Sequence, residues 1–425
     1  MKTAGIIAEY NPFHNGHRYQ IEELRARTGA DHIVIAMSGD FVQRGEPAIY
    51  DKYTRARMAL SAGADLVLEL PSVFATSSAE DFAACGVALL DRIGAVDILC
   101  FGSECGDISA LKTIAQLLVR EPGAFSDSLR VQLRAGNSFP KAREYAVREW
   151  LAQNRGGDGS EKRGAVPPQT LLSSPNNILG IEYMKALQKR DSRIQPYTIK
   201  RRGKGYHDTN LTPDWHGNDQ KMDFASASAI RKAICEGEPE LASSQMPVLP
   251  DEAATPVFLD DLSPLLNYRL LELCRTGQDL TAFSDVSPEL ADRIENQLLQ
   301  FSSFTERIRL LKTKQYTYTR ISRALTHILL GITTSMTESG RACDYAPYAR
   351  ILGFNRSAAP LLTRLKEKSG IPLITKTADA AGILPTDVLE LFRQDIYCSH
   401  VYQTIVRQKS GILSPNEYTH PIIIL

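Results

Sequence analysis

Gly5-Ile6-Ile7-Ala8-Glu9-Tyr10-Asn11-Pro12-Phe13-His14-Asn15-Gly16-His17 is the stretch around which the rest of the chain can be read. Its first residues are small or apolar, and residues 4–8 suit a buried parallel strand. Asn11-Pro12 ends that strand, because proline has no N–H to give to a ladder. After the second histidine, Tyr19, Ile21 and Leu24 fall at helical spacing among Glu22, Glu23 and Arg25. Strand, break, two histidines and helix in that order suit the handling of an anion. A helix start presents free N–H groups and positive partial charge. Gly16 allows close backbone approach. Two imidazoles can add donors to phosphate oxygens as charge builds in a transition state.

Downstream, His32-Ile33-Val34-Ile35-Ala36-Met37 reads as a second buried strand. It runs into a polar, glycine-bearing loop, Ser38-Gly39-Asp40-Phe41-Val42-Gln43-Arg44-Gly45-Glu46-Pro47, where doubly wound sheets place ligands. Residues 53–62 predict a helix, 65–70 a strand, 79–93 a helix and 97–101 a fourth strand leaving through Gly102-Ser103-Glu104. Helices follow at 111–118 and 139–151, and a further strand at 195–200. This alternation predicts a Rossmann-like α/β domain with a parallel sheet and right-handed crossovers. Ser174-Pro175 can open a helix with proline in its first position. Asn176 and Asn177 then stand where an amide reads a base or ribose, or caps the helix. Arg201-Arg202-Gly203-Lys204-Gly205 at a strand exit suits a polyphosphate or a solvated basic turn. Ser226 and Ser228 open another helix and Arg231 follows, so hydroxyls, N–H groups and a guanidinium can meet one phosphate group.

A chain of 425 residues exceeds one ordinary core. Two domains are expected, one over 1–240 and a mainly α-helical one over 257–425, with a proline-bearing acidic linker at 236–256. Helical spacing marks 265–274, 288–300, 304–312, 320–332, 358–368 and 387–403. Forty-nine basic residues balance 49 acidic ones, which argues against a wholesale polyanion binder and makes any local basic segment stand out. Residues 307–323 are such a segment, with six basic residues and no acidic one. Lys312, Lys314, Arg320 and Arg323 are expected to contact an RNA backbone there. Tyr316 and Tyr318 offer rings to unstacked bases. Seven scattered cysteines frame no zinc site or disulfide set and fit a reducing cytoplasm. No basic-then-apolar leader and no run of 18 apolar residues is present, so neither a signal peptide nor a membrane span is expected.

His14-Asn15-Gly16-His17 resembles the His-x-Gly-His signature of the nucleotidylyltransferase superfamily, whose members work at the α-phosphate of a nucleotide. The longer string Glu9-Tyr10-Asn11-Pro12-Phe13-His14-Asn15-Gly16-His17 is narrower and resembles the tRNA(Met) cytidine acetate ligase family. Ser38 to Pro47, Phe101-Gly102-Ser103-Glu104, Ser174-Pro175-Asn176-Asn177 and Tyr206-His207-Asp208 carry the same resemblance, in order, over most of residues 1–231. It implies ATP held by Ile7, Ala8, Glu9, Tyr10, Asn11, Pro12, Phe13, Asn15, Gly16 and Gln20 of the first loop. Gly102, one of Asn176 and Asn177, and one of Arg201 and Arg202 join them. The superfamily's serine-rich phosphate motif maps to Ser226, Ser228 and Arg231. His14 and His17 are the implied catalytic pair. Asp40 positions substrate, serves as a base near the amine, or merely caps a turn. The implied reaction joins acetate to the wobble cytidine of elongator tRNA(Met) through acetyl-adenylate, with ATP as substrate, and Mg2+ is compatible with it. Two other classes stay open. An adenylyltransferase acting on a small phosphate ester would not need the helical part. A non-catalytic RNA-binding protein would have no use for paired histidines.

Overall fold

The computed structural model describes residues 1–153, 168–202 and 224–425. The expected motif Tyr206-His207-Asp208, with Lys204 and the glycine-rich stretch from 154 to 160, lies outside the described residues. Strand β1 (Thr3–Ala8) pairs in parallel with β2 (His32–Ser38) on one side and β6 (Ile98–Ser103) on the other. A two-stranded ribbon of β3 (Phe41–Val42) and β4 (Glu46–Pro47) occupies the loop after β2. Parallel neighbours β5 (Leu66–Leu70) and β7 (Gln195–Lys200) extend the sheet outward, beside β2 and β6 respectively. The order β5-β2-β1-β6-β7 reverses direction at β1, so the carboxyl ends of β1 and β6 open a crevice.

Alternation along the central strands separates two cores. Ile33, Ile35 and Met37 of β2 join one apolar cluster, while Val34 and Ala36 join the other on the opposite face. Both faces are covered by helices, so these strands read as continuous apolar runs rather than as alternating ones.

Beyond residue 257 the expected helices are present, including Ser263–Thr276, Phe304–Leu311, Tyr318–Leu330 and Thr386–Ser410. That segment also supplies strands, which its spacing did not announce. β8 (Ala349–Phe354) pairs antiparallel with β5, and β9 (Leu373–Ile374) and β10 (Ile423–Ile424) pair with β8. A six-residue run containing an arginine and a glycine carries little strand signal of its own. Its edge position against β5 becomes available only in the folded chain. The sheet therefore crosses the expected linker, and the helical segment shares a layer with the first.

Four buried charges secure that junction. Lys52 Nζ lies 2.9 Å from Glu69 Oε1 and 2.7 Å from Glu417 Oε2. Arg350 lies 3.0 Å from Glu69 and 2.6 Å from Glu417. Ser399 Oγ accepts a further hydrogen bond from Lys52 at 2.8 Å. Asp40 belongs to this neighbourhood. It is buried, its carboxylate accepts from the Lys52 amide at 2.8 Å, and its carbonyl accepts from the Ala48 amide at 2.8 Å. Among the described residues no helix is long and apolar enough to cross a membrane.

Candidate active site

The β1–β6 crevice contains a cavity of about 300 Å3. Local chemistry fixes its histidines. His14 is the N-cap of the helix Asn15–Thr28, and its Nδ1 accepts from the Gly16 amide at 3.1 Å. His17, at the third position of that helix, accepts on its own Nδ1 from the His14 amide at 3.3 Å. This is a capping box built from imidazoles in place of a hydroxyl and a carboxylate. The rings stack at 3.8 Å. Burial, with Arg201 and Arg231 nearby, lowers the His14 pKa to about 3. Burial, His14 and Arg201 hold His17 well below the ordinary imidazole value. Both rings are therefore neutral at neutral pH. Because each Nδ1 is an acceptor, each proton sits on Nε2. Gly16 is required here: a Cβ would stand 2.9 Å from His14 Cε1.

Around these donors the cavity gathers Ile7, Ala8, Glu9, Tyr10, Asn11 and Gln20 from the first segment. Gly102, Asn176, Arg201, Ser226 and Arg231 join from elsewhere in the chain. A smaller cavity of about 50 Å3 shares His14, His17, Gly102 and Arg201 and adds Gly16 and Arg202. Arg231 is oriented by the Asn11 carbonyl at 2.7 Å and by Ser228 Oγ at 3.4 Å. Ser226 caps the helix Ala227–Cys235 through the Ala229 amide at 3.1 Å. Opposite, Glu104 clamps the start of the helix Pro175–Lys189. Its carboxylate accepts from Asn176 Nδ2 at 2.7 Å and from the Asn177 amide at 2.8 Å. Asn176 Oδ1 accepts in turn from Arg201 at 3.4 Å.

Several expected residues stand elsewhere. Asn177 is fully buried and accepts from the Glu104 and Cys105 amides at 3.0 and 3.2 Å, so of the two asparagines only Asn176 faces the cavity. Pro12, Phe13 and Asn15 support the loop from behind. Phe13 packs edge-on against Tyr10, and the Asn15 amide donates to the Gln245 carbonyl at 2.9 Å. Ser228 does not line the cavity, and its Oγ accepts from Arg231. Asp40 does not line the cavity; its carboxylate accepts from the Lys52 amide beside the charged junction. In the basic segment Lys312 and Lys314 are exposed, and Arg320 sits 5.0 Å over the Tyr316 ring. Tyr316 itself is buried, its hydroxyl 2.5 Å from Ser287 Oγ, so no base can stack on it. Arg323 is committed to Asp285 at 2.8 Å.

Other lining residues were not picked out from the sequence. Gln43, Arg44 and Glu46 project from the β3–β4 ribbon. Leu179 and Tyr183 follow Asn176 at helical spacing on one face of the helix Pro175–Lys189, a signal the sequence did contain. Arg55 is fully buried beneath the site. It donates to the Glu9 carbonyl at 2.6 Å and to the Ser38 carbonyl at 3.1 Å, tying the ends of β1 and β2 together.

This geometry has known counterparts. The HIGH Nucleotidyl Transferase family profile matches residues 1–414. The tRNA(Met) cytidine acetate ligase of Acetivibrio thermocellus is 39% identical across 100% of both chains, and that of Caldanaerobacter subterraneus subsp. tengcongensis is also 39% identical across both. The crystal structure of Thermotoga maritima TmcAL in its apo form superposes with a TM-score of 0.87 at 31% identity, covering 100% of each chain. Its form bound with alpha-thio ATP gives 0.85 at 30% identity, again covering each chain fully. With its His-x-Gly-His helix start at a β1–β6 crevice and full-length similarity to these proteins, the chain belongs to the HIGH nucleotidyl transferases and, within them, to the tRNA(Met) cytidine acetate ligase family.

Proposed function

We propose that this chain activates acetate with ATP and transfers the acetyl group to N4 of the wobble cytidine of elongator tRNA(Met). The products are N4-acetylcytidine, AMP and diphosphate. The observation that carries this reading is the stacked pair of neutral histidines, both presenting Nε2–H in the β1–β6 crevice. Acetate is inert to an amine until its oxygen becomes part of a good leaving group. An acetate oxygen attacks the α-phosphorus of ATP and diphosphate leaves with the electron pair of the broken P–O bond. Negative charge gathers on the α-phosphate oxygens, and preorganised Nε2–H donors stabilise it there without reorganising. Neutral donors suit the step, since they need no proton from solution and keep their own.

In this proposal Arg201, Arg231 and Ser226 hold the outgoing diphosphate, and Arg202 adds charge from the smaller cavity. Gly102 and Asn176 border the nucleoside, and Ile7 to Asn11 with Gln20 form the floor. Mg2+ would enter with the ATP phosphates. Among the described residues no three His, Cys, Asp or Glu gather to hold a metal ion. Residues 1–240 carry the chemistry. Residues 257–425 dock the RNA, with Lys312, Lys314 and Arg320 on its backbone. The cytoplasm, where charged substrates and tRNA meet, is the proposed setting. Incubation with ATP and labelled acetate, with and without tRNA, tests the reading. Label in the tRNA supports it. Transfer of AMP to a phosphate ester, or no ATP turnover, sinks it.

A further inference from the structure

The second half-reaction needs a proton acceptor. The N4 lone pair of cytidine is delocalised into its ring. When it attacks the acyl carbon, the nitrogen becomes acidic and a proton must leave. The histidines cannot take it, since each Nδ1 already accepts a backbone N–H and each Nε2 already carries a proton. Asp40 is outside the cavity. Two carboxylates remain among the described lining residues, Glu9 and Glu46.

Glu9 is the better placed. It is the first residue past β1, so it stands at the same strand end as the histidine loop. Arg55 grips its carbonyl at 2.6 Å, and its Oε1 accepts from the Gln43 amide at 3.0 Å. The ribbon that supplies that amide is itself anchored. The Gly45 carbonyl accepts from Ser322 and Thr326, both at 2.7 Å, and Gln43 Nε2 donates to the Ser77 carbonyl at 3.0 Å. The carboxyl is thus held between two fixed points, with Val42, Phe82 and Tyr183 as neighbouring apolar wall.

We propose that Glu9 is the general base of acetyl transfer, accepting the N4 proton of the target cytidine. This rests on the function proposed above. The N4–C bond forms, the bond between the acyl carbon and the adenylate oxygen breaks, AMP leaves with that electron pair, and the proton passes to the Glu9 carboxylate. The groups facing Glu9 are Arg44 and Glu46 of the ribbon, Arg231 of the helix Ala227–Cys235, Tyr183 of the helix Pro175–Lys189, and the two histidines. Burial raises its carboxyl above the ordinary carboxylate range. Arg44, the Gln43 amide and Arg231 oppose that shift, and Glu46 adds to it. Such a carboxylate is a stronger base than an exposed one.

The test separates the two half-reactions in Glu9→Gln, Glu9→Asp and Glu46→Gln. Acetate-dependent exchange of labelled diphosphate into ATP, without tRNA, reads adenylate formation. Single-turnover N4-acetylcytidine formation reads transfer. Glu9→Gln should slow transfer by about 100-fold or more beyond any loss it causes in exchange, the usual scale for a general base. The parent's transfer rate should rise with pH through the Glu9 ionisation, and this limb should vanish in Glu9→Gln. Glu9→Asp should restore part of the rate and keep the limb. Equal loss in both half-reactions would make Glu9 part of nucleotide handling and overturn the proposal. Unchanged transfer, or a limb that disappears only in Glu46→Gln, would overturn it too. A parent that performs no exchange would instead remove the ligase reading itself.

Discussion

The histidine cavity and the Lys52–Glu69–Arg350–Glu417 junction both bury polar groups, and they treat charge in opposite ways. At the junction two cations meet two carboxylates at 2.6 to 3.0 Å, and all four side chains are at most 4% exposed. Burial and Arg350 push the Lys52 pKa down, yet Glu417 and Glu69 outweigh them and the net shift is upward. Its charge is answered from within. In the cavity desolvation instead keeps the histidines neutral, and their Nε2–H donors face the lined space. A closed set of charges holds parts of a protein together. Preorganised donors opening on a cavity serve a ligand.

The largest expected effect comes from breaking the closed set. Lys52→Met leaves two buried carboxylates facing one arginine and should lower stability by ~3–5 kcal/mol. Chemical denaturation of parent and variant reads this directly. Burial would raise the Glu417 carboxyl, but Lys52 and Arg350 outweigh it and bring it down to about 2. A depressed carboxylate contributes stability above its unfolded value, roughly 4.5, and loses it as pH falls toward 2. The stability gap between parent and Lys52→Met should therefore narrow across that acid window. A gap that is absent at pH 7 would mean that water, rather than the partner charges, satisfies these groups.

Next in size is the open set. His17→Ala removes one donor and should slow adenylate formation by about 100-fold, some 2.7 kcal/mol of barrier. Its melting temperature should stay within a few degrees of the parent's. A collapse in stability with little change in the rate per folded molecule would assign His17 to the scaffold and erase the contrast.

Smaller, and sharper, is a pH test of the neutral-donor arrangement. With His14 brought down to about 3 and His17 held well below the ordinary imidazole value, neither ring gains a proton as pH falls through that ordinary value. Acetate-dependent diphosphate exchange should show no break near 6.5, the ordinary imidazole value. A break there that disappears in His17→Ala would show that an imidazolium does the work.

The same contrast explains what could be read before folding. The histidine loop was legible because its chemistry is local. Cap, glycine and third-position partner all fall within His14 to His17, and the capping box closes on itself. Helical rotation was harder. Asn176 and Asn177 are neighbours, and only their sides of the helix decide that one borders the cavity and the other accepts the Glu104 and Cys105 amides. The junction was not legible at all. Lys52, Glu69, Arg350 and Glu417 are spread over the whole chain, and each alone reads as an exposed charge. Strand β8 failed for the same reason, since its partner β5 lies nearly 300 residues earlier. Composition alone points to Arg323 and Tyr316 as RNA contacts. Asp285 and Ser287, which engage them, come from a separate turn.

The smallest expected effect concerns RNA, and it separates solvent-facing charge from charge already used. Lys312 ends the helix Phe304–Leu311 and Lys314 lies in the turn after it, both exposed. Arg323 lies only nine residues beyond Lys314, but it pairs with Asp285, and its backbone packs against the ribbon tip. A Cβ on Gly45 would stand 2.5 Å from the Arg323 amide nitrogen. Sequence composition treats the three alike; the fold does not. Phosphate contacts release counterions, so each one lost should flatten the plot of log affinity against log salt by roughly one unit. Replacing Lys312 and Lys314 by alanine should weaken tRNA binding and lower that slope, while the melting temperature holds. Arg323→Ala should do the reverse, costing stability and leaving the slope nearly unchanged. Titrations of the three variants at several salt concentrations decide it. If the double lysine variant keeps the parent's slope, the RNA docks elsewhere, and the exposed Arg201 and Arg202 at the exit of β7 are the next residues to replace.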